Sequence, residues 1–133
     1  MPQHMKTIIL AGGLGTRLSE ETTVKPKPMV EIGGHPMLWH ILKLFGHHGF
    51  RDFAIALGYK GELIKRYFLD FNTCHSDLVV DLARGEVQLG SALAEPWKVH
   101  LVDTGQATQT GGRIRRFRDW VGADPAFMVT YGD

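Results

Sequence analysis

Positive charge beside glycine-rich backbone is the first chemical feature of this sequence. An apolar run ends in the loop 11–16, and the basic residues Arg17, Lys25 and Lys27 follow it. Glycine permits positive φ angles and lets a ligand lie directly against backbone N–H groups. Consecutive N–H groups attract phosphate, and arginine adds a planar fork of donors that suits phosphate oxygens. The pattern predicts a phosphate-binding loop.

Two prolines constrain the backbone around the lysines. Pro26 and Pro28 each follow a lysine, and a residue before proline is pushed into extended backbone. We therefore expect both ammonium groups to project from the surface. The alternative is a glycine-rich turn in which Arg17 and Lys27 only form surface ion pairs with nearby glutamates, and the fixed geometry disfavours it.

A dinucleotide-binding loop is another class of site that such glycines suggest. The G-x-G-x-x-G fingerprint begins at Gly13 and Gly15, but Leu18 occupies the place of the third glycine. The acidic residue expected after the second strand is also missing, because that strand ends in Gly58-Tyr59-Lys60. Phosphate binding with transfer chemistry fits these residues better than nicotinamide binding.

The composition is that of a globular protein. The chain has 133 residues, of which 44% are hydrophobic and 22% charged, enough for one domain with its own core. A net charge of +1 gives no general basic field for nucleic acid, and no apolar run is long enough for a membrane span. Cys74 is the only cysteine, which excludes an internal disulfide and fits a reducing cytoplasm. We expect a cytoplasmic protein without nucleic-acid or membrane partners.

Strand and helix patterns alternate along the chain. Apolar runs predict strands over residues 6–11, 52–59, 97–105 and 126–133. Amphipathic patterns predict helices over residues 36–49, 61–71 and 111–122. An alternating segment, 78–90, predicts a hairpin turning at Arg84-Gly85. Together these elements predict a Rossmann-like α/β fold, an open, mostly parallel sheet with helices on both faces and a β-hairpin insertion.

Side-chain placement follows from the same patterns. The first helix is expected to begin at Pro36 and to direct one broad apolar face toward the core, formed by Met37, Leu38, Ile41, Leu42, Leu44 and Phe45. The last helix is expected to bury Ile114, Phe117, Trp120 and Val121.

The end of the last strand offers a metal ligand. Open α/β sheets bind ligands beyond the carboxyl ends of their strands, where the glycine loop also lies. A strand ending in Gly132-Asp133 brings a carboxylate to that edge, and Mg²⁺ favours one or two carboxylates plus phosphate oxygens. Asp133 is therefore a predicted magnesium ligand; the alternative is a turn aspartate that caps the next element. Because domains usually end in a solvated segment and this chain stops at a predicted strand, we expect one domain over 1–133 that is truncated at its C-terminal end.

A second polar segment also follows a strand. Asp103–Gly105 ends a predicted strand, and Thr110-Gly111-Gly112 opens a helix, a favourable place for polar ligand groups. Four arginines occupy the helix that follows, and they could equally form its solvated face; for Arg116 and Arg118 we prefer that interpretation. The seven histidines do not show the spacing of a zinc site, so we assign them helix-end and surface roles.

Longer motifs carry a family resemblance. The segment LAGGLGTRL followed by KPKPMVEIGGHPML, within residues 10–38, closely resembles the signature of sugar-1-phosphate nucleotidyltransferases. Most of that superfamily has a proline where Glu20 stands. The variant RLSEETTVKPKPM, together with GGHPMLWHI, GYKG, EPWKVHLVDTG, TGGRIRR and TYGD, is similar to the branch that uses CTP and glucose 1-phosphate. These blocks cover nearly the whole chain.

The resemblance implies an enzyme that joins CTP to α-D-glucose 1-phosphate, with Mg²⁺ as cofactor, and releases pyrophosphate. It implies catalytic roles for Arg17 and Lys27 and a metal role for Asp133. The implied nucleotide-binding residues are Leu10, Ala11, Gly12, Gly13, Gly15, Thr16, Arg17, Lys25, Gln106, Thr110, Gly111, Gly112 and Arg115, with Arg113 as an alternative to Arg115.

The resemblance also implies a role in bacterial surface-polysaccharide synthesis and a homo-oligomer in the full-length enzyme. Two alternatives stay open. The chain could be a nucleotide-binding fragment without turnover, or the enzyme could use UTP, dTTP or GTP with a sugar 1-phosphate.

Overall fold

Strands and short helices alternate through the computed structural model, which describes residues 5–11, 26–92, 95–105, 110–122 and 126–132. The strands are β1 (Lys6–Ala11), β2 (Glu31–Ile32), β3 (His35–Pro36), β4 (Asp52–Leu57), β5 (Ser76–Asp81), β6 (Glu86–Ala92), β7 (Lys98–Asp103) and β8 (Phe127–Tyr131). The helices are α1 (Met37–His47), α2 (Gly61–Leu69), α3 (Phe71–Cys74), α4 (Thr110–Arg115) and α5 (Arg118–Val121), and a 3₁₀ turn spans Lys27–Met29.

Four parallel strands form the main sheet, in the order β7-β4-β1-β8. The predicted apolar runs are these strands, and the central pair, β1 and β4, is almost completely buried. Their register aligns Ala11 with Leu57, and Leu57 with Asp103, while Leu10 pairs with Tyr131. All four strands therefore end at one edge of the sheet.

Helices cover both faces of the sheet, as the sequence predicts. One core cluster consists of sheet residues packed against α1 and α2, and its fully buried members are Ile9, Leu38, Leu42, Phe53, Ile55 and Ile64. The second joins the opposite sheet face to α4 and α5, and its members are Ile8, Leu10, Ala54, Ala56, Phe117 and Val121. Each large side chain buried in this way contributes roughly 1.5–3 kcal/mol. The predicted Rossmann-like fold is confirmed.

The first helix differs from its prediction at two positions. It begins at Met37, and Pro36 instead pairs with Glu31 in the small β2–β3 hairpin. Leu38 and Leu42 are buried, but Leu44 is 58% exposed, so its predicted core position is wrong. Two positions beyond Leu42 correspond to about 200° around a helix, which places Leu44 on the solvent side.

The predicted helix over 111–122 is divided into α4 and α5. The N–H of Phe117 bonds to the Ile114 carbonyl three residues back, and this tightening turns the buried Phe117 ring into the core. Ile114 and Trp120 are only partly buried.

In the part of the chain that the structure describes, no helix is both long and apolar enough to cross a membrane.

The predicted hairpin insertion is formed by β5 and β6. Its turn is stabilised by Asp81 Oδ1, which accepts bonds from the N–H groups of Ala83 and Arg84, and by Gly85 with a φ of 68°. One face carries two apolar cross-strand pairs, Leu78 with Leu89 and Val80 with Val87. All four side chains are exposed.

Candidate active site

The candidate site lies at the carboxyl edge of the main sheet. Ala11 is the last residue of β1, and the glycine loop follows it directly in the sequence. Leu10 and Ala11 are 7% and 3% exposed, with their side chains in the core. Their predicted contacts with a nucleotide must therefore come from backbone atoms.

A 3₁₀ turn holds Lys27 beside this edge. Pro26 is extended, with φ −68° and ψ 155°, and its carbonyl accepts the N–H of Met29. Lys27 begins the 3₁₀ turn, so the extended backbone predicted for it as the residue before Pro28 is wrong, while Lys25 lies outside the described residues. Pro28 is buried against Gly132, the residue after β8. Lys27 itself is exposed. The proline thus anchors the turn in the core and leaves the lysine side chain at the surface of the site.

The end of β8 is packed closely against β1 and the turn. The Gly132 N–H donates to the Leu10 carbonyl at 3.0 Å. A Cβ at Gly132 would lie 3.3 Å from Pro28 Cγ and 3.4 Å from Ala11 Cβ. Only glycine fits here without a shift of its neighbours, so β1, β8 and the Lys27 turn converge on one point.

A buried hydrogen-bond chain closes the other side of the edge. The hydroxyl and the N–H of Thr104 both donate to the Leu57 carbonyl, each at 2.9 Å. Arg113 Nη1 donates to Thr104 Oγ1 at 2.8 Å and lies 3.5 Å from the Leu57 oxygen. We call these three residues the Arg113 clamp. It ties α4 to the ends of β4 and β7.

Arg113 is only 5% exposed, and burial lowers the pKa of its guanidinium, while the charge of Asp103 opposes this shift. This burial contradicts the interpretation of Arg113 as part of a solvated helix face. The sequence carried a signal for this burial, because Arg113 precedes the core residue Phe117 by four positions on a helical pattern. Thr104 had no such signal.

A cleft of about 340 Å³ opens beyond the ends of β4 and β7. Its lining residues are Leu57, Gly58, Lys60, Gly61, Glu62, Lys65, Asp103 and Gly105. Lys60 adopts a left-handed conformation, with φ 53°, just before α2. Gly61 has no space for a side chain, because a Cβ would lie 2.9 Å from Leu57 Cβ. The cleft is polar, carries charges of both signs and has the size of a small-ligand site.

The structure places only some of the predicted site residues. Leu10, Ala11, Lys27, Gly111, Gly112 and Arg115 are described, and α4 begins at Thr110 as expected. Gly111 and Arg115 are exposed, and Gly112 is half-buried. The predicted residues Gly12, Gly13, Gly15, Thr16, Arg17, Lys25, Gln106 and Asp133 lie outside the described residues. Within the described ranges, no group of three or more His, Cys, Asp or Glu side chains could hold a metal ion.

The chain belongs to the nucleotidyl transferase family, whose model matches residues 6–125. It is 55% identical over 129 residues to glucose-1-phosphate cytidylyltransferase of Salmonella typhimurium and 49% identical to the probable glucose-1-phosphate cytidylyltransferase of Bacillus subtilis. Each alignment covers 97% of this chain and 50% of the relative. The chain thus spans about half the length of these curated relatives.

A solved structure supports the same family. The crystal structure of HddC from Yersinia pseudotuberculosis complexed with GMP-PN matches with a TM-score of 0.71 and 29% identity. The match covers 97% of this chain and 48% of that chain. The family resemblance of the sequence motifs is therefore confirmed.

Proposed function

We propose that this chain forms the nucleotide-binding and catalytic part of an enzyme that converts CTP and α-D-glucose 1-phosphate to CDP-glucose and pyrophosphate. The observation that carries this proposal is the 55% identity over 97% of the chain to a glucose-1-phosphate cytidylyltransferase. The geometry is compatible with it, because the Lys27 turn and the origin of the glycine loop meet at one edge.

The reaction needs no nucleophilic side chain. An oxygen of the sugar phosphate attacks the α-phosphorus of CTP in line, a new P–O bond forms, and the bond to the β-phosphate oxygen breaks to release pyrophosphate. The protein contributes position and positive charge. Lys27 and Arg17 supply that charge, with Lys25 as a further phosphate contact. Backbone groups of Leu10, Ala11, Gly12, Gly13 and Gly15, together with Thr16, bind the nucleotide.

Magnesium is the proposed cofactor, with Asp133 as its protein ligand. Asp133 directly follows Gly132, which is packed against Ala11 and Pro28 at the site. One carboxylate there fits an ion that takes its other ligands from phosphate oxygens and water. When bound, Mg²⁺ would neutralise charge on the triphosphate.

Base contacts are assigned to the segment around the start of α4. Gln106, Thr110, Gly111, Gly112 and Arg115 are the proposed contacts, and the described members of this set lie near the cleft residue Gly105 in sequence. The identity to cytidylyltransferases supports cytosine as the base.

Two other functions are favoured by specific observations. A guanine nucleotide is the alternative substrate, because the HddC structure was solved with GMP-PN. UTP and dTTP are further candidates on the resemblance of the sequence motifs alone. Nucleotide binding without turnover is the alternative for the chain alone, because it spans about half the length of its relatives.

The full-length enzyme is proposed to be a cytoplasmic homo-oligomer that serves surface-polysaccharide synthesis. The apolar hairpin face with Leu78, Val80, Val87 and Leu89 supports an interface, since exposed apolar patches often mark interaction surfaces. Cys74 is an exposed free thiol, a state that a reducing compartment preserves.

Pyrophosphate release tests the function directly. The purified 133-residue chain receives glucose 1-phosphate, Mg²⁺ and each nucleoside triphosphate in turn. Pyrophosphate release with CTP alone supports the proposal. Release with another triphosphate supports the proposed reaction but contradicts the assignment of cytosine as the base. If no triphosphate reacts, CTP binding by calorimetry separates a binding fragment, which binds, from an incorrect function, which does not.

A further inference from the structure

We propose that Arg113 is a positioning residue for nucleotide recognition, which acts through Thr104 to fix the first turn of α4 beside the cleft. This inference rests on the proposed function, because Gly111 and Gly112 in that turn are among the residues assigned to the nucleotide. Arg113 itself need not touch the nucleotide.

The clamp forms part of the framework behind the cleft. Thr104 lies between Asp103 and Gly105, both of which line the cleft, and its own side chain is fully buried on Leu57, a third lining residue. A change in how Thr104 is held therefore moves the backbone of the cleft wall. Arg113 is the group that connects this wall to α4.

α4 needs such an anchor because it is intrinsically weak. It spans only six residues, and two of the first three are glycines, which are poor helix formers. Isolated helices of this length do not persist in water. Gly111 is exposed, and a Cβ at this position would meet no described atom within 4 Å. The Arg113 side chain supplies a fixed attachment one residue after the glycine pair.

The chemistry of the anchor favours precise placement over simple space filling. Removing the guanidinium charge from water costs free energy, and this desolvation lowers the pKa of Arg113. An apolar side chain of similar size would fill the same buried position without that cost. A guanidinium, however, directs its N–H groups in a rigid planar fork. The Thr104 hydroxyl accepts one of them and donates its own proton to Leu57, so the three groups have one mutually satisfied orientation.

Kinetics of the full-length protein test the inference. Arg113→Met and Thr104→Val break the clamp, Thr104→Ser retains the hydroxyl, and Arg116→Met is the matched control on an exposed arginine of the same segment. With the preferred triphosphate, the two breaking variants should raise KM about tenfold, change kcat by less than about threefold, and lower the preference for that base about tenfold. Thr104→Ser and Arg116→Met should keep wild-type values.

Two kinetic results would overturn the inference. One is an unchanged KM and base preference in folded Arg113→Met or Thr104→Val. The other is an equal loss in Arg116→Met. If Arg113→Met does not fold, Thr104→Val decides, because valine keeps the size of threonine and removes only the hydroxyl.

Amide hydrogen exchange of the same variants separates this inference from the proposed function. The reporter is the N–H of Arg116, which bonds to the carbonyls of Gly112 and Arg113. Faster exchange there, with β1 unchanged, supports a local clamp even if the wild-type protein turns over no triphosphate. In that case the proposed function fails and the clamp remains. Unchanged exchange at Arg116, or equally faster exchange throughout β1, overturns the clamp as a local positioning device.

Discussion

Pro28 and Gly132 lie against each other, so that a Cβ on the glycine would be 3.3 Å from the proline Cγ. The contact joins a turn near the start of the chain to the end of the last strand. Lys27 immediately precedes the proline, and Asp133 immediately follows the glycine. One van der Waals contact thus links the two segments that carry the proposed charge-neutralising lysine and the proposed metal ligand.

Gly132→Val should destabilise the protein. The branched side chain would press on Pro28 Cγ, Ala11 Cβ and Ile9 Cγ2 in a packed region, a change that typically costs about 1–3 kcal/mol. Chemical denaturation measures the free energy of unfolding. Gly111→Ala is the control, because a Cβ there meets no atom within 4 Å and alanine favours a helix. Equal stability of Gly132→Val and wild type would show that the contact is not restrictive.

Lys27→Ala should lower kcat of the full-length enzyme by about 10²–10³-fold, the usual cost of losing one group that stabilises transition-state charge. Lys27 is exposed, so thermal unfolding should stay near wild type. Lys98→Ala, at the opposite end of the sheet, is the control for a simple loss of charge. Wild-type turnover in Lys27→Ala would remove the lysine from the catalytic site; the same test applies to Arg17→Ala.

Asp133→Asn should shift the magnesium dependence of turnover to higher concentration, because a neutral amide binds Mg²⁺ less well than a carboxylate. Titration of activity with MgCl₂ at fixed CTP measures this shift. Asp119→Asn, an exposed aspartate in α5, is the matched control. Superimposable titrations of Asp133→Asn and wild type would exclude Asp133 as a ligand.

Tyr67 should make the fold sensitive to alkaline pH. Burial, followed by the charges of Glu31 and Glu95, raises the pKa of its phenol to about 12 from 10.0. The unfolded chain would lose this proton near pH 10 while the folded chain keeps it, so stability should fall between about pH 10 and pH 12. Denaturation across this range, with the ultraviolet absorbance of phenolate, measures both effects.

The matched variant is Tyr67→Phe. The Tyr67 hydroxyl oxygen is buried and has no hydrogen-bond partner among the described residues. Phenylalanine should therefore preserve stability at neutral pH, or raise it by up to about 1 kcal/mol, and should reduce the alkaline loss. An alkaline stability curve identical to that of wild type would assign the loss to other groups.

The sequence patterns predict the sheet well because a buried parallel strand needs a continuous apolar run, and β1 and β4 have one. They fail at Leu44 because a broad apolar stripe includes positions that rotate away from the core. The spacing of Arg113 from Phe117 indicates a core-facing position, but not its partners, Thr104 and the Leu57 carbonyl, because the fold brings these to it. The inference that the nucleotide substrate carries cytosine rests on the resemblance of long sequence motifs, not on the chemistry of single residues.

The strand order also constrains how the chain folds during synthesis. β1 pairs on one side with β4, which is made soon after it, and on the other side with β8, the last strand along the chain among the described residues. One edge of the innermost strand therefore stays open while nearly all of this chain emerges from the ribosome. During that interval the edge offers unpaired backbone groups to chaperones or to neighbouring nascent chains, and pairing with β8 brings Gly132 to the edge that carries the candidate site.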